Sequence, residues 1–118
     1  AALCHIKEHP ELYDELEKKS SYLENGFKEN LKSIGKNYAM NRVGSMSCMF
    51  FKEGRVENFN DAVNSDTELY GKYFHEMLKL GIYLAPAQFE AVFISTAHSR
   101  EDLDKTIAAH KSSLEAIL

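Results

Sequence analysis

The sequence predicts an α+β domain: a small antiparallel or mixed sheet of three to four strands with helices packed on one face. Three observations predict it. Apolar residues recur at helical spacing in three separate stretches. Between those stretches lie short runs of strand-like character, bounded by glycine and polar turn residues. The resulting order is helix, strands, helix, strands, helix, and few short strands are most economically covered by helices on one side.

The first helical stretch carries Leu16, Leu23, Phe27, Leu31 and Ile34 on one stripe. Pro10 suits its first turn, Glu11, Asp14 and Glu15 suit the positive end of its dipole, and Gly35 suits its stop. Lys18, Lys19, Lys28 and Lys32 fall mainly on the opposite, solvated face. Residues 38–52, "YAMNRVGSMSCMFFK", read as two short strands with a bulge or bend near Gly44. Ser65 with Glu68 reads as a capping box for the next helix, whose buried stripe is Tyr70, Tyr73, Phe74 and Met77 and whose stop is Gly81. "IYLA" and "AVFIST" read as two further strands. Ser99 with Asp102 is a second capping box, opening a helix with Leu103, Ile107, His110, Leu114 and Ile117 on its inner face.

A chain of 118 residues suits one domain. Its formal charge of −4 argues against a phosphate-dominated nucleic-acid surface. No apolar run approaches the ~20 residues of a membrane span, and no basic-then-apolar leader is visible. Cys4 and Cys48 make no disulfide framework and read as free thiols in a reducing cytosol. The opening "AALCHIKEH" is helix-friendly but has neither initiator Met nor cap, which reads as a piece of a longer chain.

Few residues suggest chemistry. "HIKEH", residues 5–9, matches H-x-x-E-H, which on a helix brings two histidines to one zinc with a glutamate beside the water. No third ligand follows, and Pro10 disfavours helical geometry at His9, so two surface histidines near a helix end is the preferred reading and no metal is expected. Phosphate-binding glycine loops and the G-x-S-x-G elbow are absent. Cys48, His98, the tyrosines and Met40, Met46 and Met49 read as packing. Glu90 is different. It stands alone in "GIYLAPAQFEAVF" and alternates with Val92 and Ile94, where an unpaired buried carboxylate would be expensive. Either it is paired within the domain or it sits at the mouth of a site.

"NRVGSM", the "FF" segment after it, and "NSDTELYGKYFHEMLKLGIYLAPAQFEAVFISTAHSREDLDKTI" resemble the C-terminal part of the glutamate-1-semialdehyde 2,1-aminomutase family, class III aminotransferase-like enzymes of PLP fold type I. The resemblance is strongest from Asn41 to Ile107, and "YL.P.QFEA" followed by "AH...ED" is its most specific wording. "SMSC", Ala85 and Ala87 depart from the usual wording. The resemblance implies a PLP-dependent, homodimeric, cytoplasmic isomerase that converts glutamate-1-semialdehyde to 5-aminolevulinate for tetrapyrrole synthesis. It implies that residues 1–118 are the C-terminal small domain, with residues 1–35 leading in from a large PLP-binding domain. The Schiff-base lysine and phosphate anchors then lie outside this chain, so no catalytic residue and no bound cofactor are expected within it. Glu90 matches a glutamate that faces the active site, and Gly44, Ser45 and Met46 match a loop near the same cleft. The alternatives are the small domain of a class III ω-aminotransferase and a non-catalytic α+β interaction domain.

Overall fold

A computed structural model describes all residues, 1–118. Its elements in chain order are α1 (Ala2–Glu8), α2 (Glu11–Ser33), β1 (Tyr38–Val43), β2 (Met46–Glu53), α3 (Phe59–Ala62), α4 (Thr67–Lys79), β3 (Val92–Phe93) and α5 (Arg100–Ile117). The strands form one antiparallel sheet in the order β1-β2-β3. This is the predicted α+β class, at the lower end of the predicted strand number.

Strand alternation divides the sheet's two faces. Met49 and Phe51 of β2, with Tyr38 and Met40 of β1, meet Tyr70, Tyr73 and Met77 of α4 and Leu114 of α5 in the main core. Phe50 points the other way and packs with Val56 and Ala62, which a loop and the single turn of α3 bring beneath it. The principal helices therefore cover one face, as the pattern predicts.

α2 crosses α5 at Gly26, where an added Cβ would stand 2.4 Å from Ile107 Cδ1. A hydrogen is all that fits, so a residue that weakens the helix intrinsically is retained for close packing. At the same crossing His110 is fully buried and stacks on Phe27, with ring centroids 3.8 Å apart. Asn30 Nδ2 donates to Ile107 O at 2.8 Å, which fixes which end of its amide faces the ring. His110 Nδ1, 3.0 Å from that same nitrogen, must therefore accept, and Nε2–H points at Met49 Sδ, 3.4 Å away.

The C-terminal ends of α2 and α4 use the same device. Gly35 and Gly81 have φ of +72° and +81°. Around Gly81, Ile82 N donates to Met77 O and Gly81 N to Leu78 O; around Gly35, Lys36 N donates to Leu31 O and Gly35 N to Lys32 O. This double bond pattern satisfies the orphaned carbonyls of a helix end.

Three expectations need correction and a fourth is narrowed. Of the bulge or bend expected near Gly44 the structure shows the bend: Val43 pairs with Met46, and Gly44–Ser45 is a two-residue hairpin turn with Gly44 at φ +56°. Glycine first and a negative-φ residue second is the residue order of a II′ turn, whose twist matches the flanking strands. "IYLA" is irregular, because Leu84 turns into the core and Ala85 O accepts from Tyr70 Oη at 2.5 Å, outside any ladder. Of "AVFIST" only Val92–Phe93 is strand. Finally, α4 is capped by Asp66, not Ser65: Asp66 Oδ1 accepts from Leu69 N at 2.8 Å, whereas the Ser65 hydroxyl is buried without a partner. Asp66→Ala should therefore cost about 1 kcal/mol, and Ser65→Ala close to nothing. Urea denaturation of the two variants measures this; a larger loss at Ser65 would return the cap to it.

α1 contributes no buried residue, and Leu3 is 82% exposed. No helix is long and apolar enough to cross a membrane.

Candidate functional site

The site is built on residues 82–94, between α4 and the end of β3. Gly81 turns the chain back from α4. Leu84 and Gln88 are buried, at 7% and 2% exposure, and draw the segment against β2. Glu90 N donates to Ala87 O at 3.2 Å, which closes a turn, and β3 then pairs with Met46 and Ser47. Glu90 thus lies on a turn and not on a strand, as alternation with Val92 and Ile94 predicts. A two-residue strand ends before it can impose that alternation.

Its carboxylate is exposed, and no lysine, arginine or histidine of the chain forms an ion pair with it. The reading of Glu90 as half of an internal salt bridge is therefore set aside. It borders a cavity of about 30 Å³ shared with Cys48, Met49, Tyr70, Leu84 and Val92. Burial pushes the Cys48 thiol up to about 11 and the Tyr70 phenol up to about 12, with nearby Cys48 and Glu90 adding to the Tyr70 shift. Both groups hold their protons at neutral pH, and Glu90 is the site's charged acceptor.

Gly44, Ser45 and Met46 lie at the hairpin turn. Ser45 O accepts from Ile94 N at 3.0 Å and Met46 pairs with Phe93, so the turn is fastened to the far end of the same segment. Ser47, Cys48 and Met49, rather than Gly44–Met46, line the cavity with Glu90. Met46 is 42% exposed, contrary to its reading as a packing residue. Beside the hairpin, Arg42 binds Glu24 at 2.7 Å, Glu17 at 2.9 Å and Gly44 O at 2.9 Å, and ties the turn to α2.

His5 and His9 do come together, with ring centroids 4.5 Å apart, but His9 Nδ1 sits 2.9 Å from Glu11 Oε1. No group of three or more potential metal ligands exists in the chain. Gln88 is the polar residue that sequence reasoning passed over. A lone amide in an apolar run is a weak signal until its partners are seen.

No protein-family model matches the chain. Among individual proteins, a glutamate-1-semialdehyde 2,1-aminomutase from Pelodictyon phaeoclathratiforme is 58% identical over 111 residues, and one from Chlorobaculum parvum is 54% identical over 111 residues. By sequence, the chain is a relative of the glutamate-1-semialdehyde 2,1-aminomutases. Each alignment covers 94% of this chain and 25% of the relative, so the chain spans about a quarter of the aminomutases' length. Solved structures agree on the fold. An ω-transaminase from Sphaerobacter thermophilus superposes with a TM-score of 0.78 at 17% identity, over 95% of this chain and 26% of its own. A β-phenylalanine aminotransferase from Variovorax paradoxus gives 0.77 at 23% identity, over 86% and 23%. A further transaminase, solved with PLP bound, gives 0.76 at 16% identity.

PLP chemistry requires a lysine amine for the aldehyde and a partner for the ring nitrogen. The cavity beside Glu90 is far too small for the cofactor and has no lysine, arginine or histidine in its lining. The residues lining this cavity therefore do not fit the group, and no step of chemistry is routed through it here.

Proposed function

We propose that this chain is the C-terminal small domain of a PLP-dependent aminomutase that converts glutamate-1-semialdehyde to 5-aminolevulinate. Residues 1–35 are its lead-in from a large domain that holds the cofactor, and the whole enzyme works as a cytoplasmic homodimer. The supporting observation is 54–58% identity over 111 residues to proteins of that name. The ω-aminotransferase reading is weaker, since the likeness to such an enzyme is one of fold at 17% identity.

Within that enzyme, Glu90 faces the cleft between the domains. Being exposed and unpaired, it can accept hydrogen bonds from the ammonium groups of substrate. The Gly44–Met46 turn forms a neighbouring wall. The test is to give the full-length protein glutamate-1-semialdehyde with no second amino or keto substrate. Formation of 5-aminolevulinate is expected. Amine transfer only to an added keto acid would identify an ordinary aminotransferase, and inactivity of the PLP-loaded protein toward both would favour a non-catalytic domain.

A further inference from the structure

Gln88 stands two residues before Glu90 and is 2% exposed. Its amide lies along the edge of β2. Oε1 accepts from Phe51 N at 3.0 Å, and Nε2 donates to Met49 O at 2.8 Å. Those are groups that a neighbouring strand would otherwise use, but β3 pairs only with Met46 and Ser47. Met49, Phe50 and Phe51 are all at least nine-tenths buried, so water is poorly placed to replace the missing strand. One planar side chain with a donor and an acceptor at its tip supplies both bonds.

The same residue is fastened through its backbone, since Cys48 Sγ lies 3.5 Å from Gln88 O. On the other side of Glu90, β3 pairs with β2 from Val92, equally near, and farther out lie Tyr70 Oη on Ala85 O and Ile94 N on Ser45 O. Glu90 occupies the short arc between Gln88 and β3. Its carboxylate has no bond within the chain that would orient it, so what the chain fixes is the position and direction of the Cα–Cβ bond, through the backbone on either side.

We propose that Gln88 is the positioning residue for Glu90: its amide stands in for a strand neighbour on β2 and so holds the Glu90 backbone where its side chain can meet substrate. This rests on the reading of Glu90 as a carboxylate that meets substrate. It also explains why a polar side chain is tolerated at a site buried among apolar ones, because both halves of the amide are satisfied.

The test is a double-mutant cycle in the full-length protein. Gln88→Met keeps the length of the side chain and removes both bonds. It should lower aminomutase turnover about tenfold, the scale of one misplaced charge-assisted hydrogen bond. Added to Glu90→Gln, the same change should cost less than about twofold, because the group it positions is already gone. Gln88→Glu supplies a second measurement should Gln88→Met not fold. A protonated carboxyl can donate to Met49 O and accept from Phe51 N, whereas a carboxylate cannot donate. The turnover of Gln88→Glu relative to wild type should therefore rise as pH falls, because only the protonated form restores the bond to Met49 O. Full activity of Gln88→Met beside an impaired Glu90→Gln would overturn the positioning role and leave the reading of Glu90 standing. Additive losses, or a pH-independent Gln88→Glu ratio, would do the same. A silent Glu90→Gln would remove both.

Discussion

Glu90→Gln in the full-length protein should lower aminomutase turnover roughly tenfold to hundredfold while leaving the thermal melt unchanged. The two halves of this expectation have separate causes. Stability is insensitive because Glu90 is exposed and makes no ion pair, so replacing its charge by an amide of the same shape breaks no contact within the chain. Turnover is sensitive because a hydrogen bond between charged groups is worth about 1.5–3 kcal/mol, and each ~1.4 kcal/mol lost from the transition state is tenfold in rate. Cofactor binding should persist, since the cavity beside Glu90 has no lysine or arginine in its lining to anchor it. Steady-state and half-reaction kinetics beside a melt measure all three. Unchanged kinetics would assign Glu90 to the solvated surface and nothing more.

Acidification should destabilise the domain well before its carboxylates titrate, through His110. Burial drives this imidazole's pKa down to about 3, from an ordinary value near 6.5. The folded state holds the ring neutral, while the unfolded chain protonates it below about pH 6.5. The stabilisation is therefore complete above that pH and is lost as pH falls toward 3. The slope approaches about 1.4 kcal/mol per pH unit, so roughly 2–3 kcal/mol should disappear between pH 6.5 and 4.5. Geometry gives the same sign. Nδ1 already faces an Asn30 nitrogen that is committed as a donor to Ile107 O, and a second proton there would set donor against donor. Carboxyls whose pKa is lowered, such as Asp102 at its capping box and Glu17 beside Arg42, contribute only further down, below their ordinary range. Urea unfolding followed by far-ultraviolet circular dichroism across this window tests the expectation. His110→Gln should be less stable at neutral pH and nearly flat from pH 6.5 to 4.5. A wild-type stability that is flat over that range would show that the ring is not held neutral.

The helices were legible because each is long enough for its apolar stripe to repeat, and because its ends carry local chemistry. The Ser99–Asp102 capping box and the Gly35 and Gly81 stops are bonds among residues at most five apart, and all three form as the sequence implies. The class of the fold followed from the order of those elements, and the aminomutase resemblance from short runs such as "QFEA". Other features depended on distant partners. Residues 82–85 have strand-like composition, yet their backbone groups go elsewhere, Ala85 O to the hydroxyl of Tyr70 fifteen positions earlier. Ser65 has the spacing of a cap, but tertiary packing buries it and leaves the role to Asp66. His110 read simply as a stripe residue; its neutral state follows from Asn30 and Phe27, both on another helix. Gln88 carried no signal, because the bonds that give it meaning run to Met49 and Phe51, thirty-nine and thirty-seven positions away. Sequence by itself determined what periodicity and near-neighbour hydrogen bonds can encode. Where a buried polar group finds its partner, and therefore where Glu90 is held, was decided only when the chain closed on itself, because a buried donor or acceptor takes its partner from whatever the packing brings within about 3 Å.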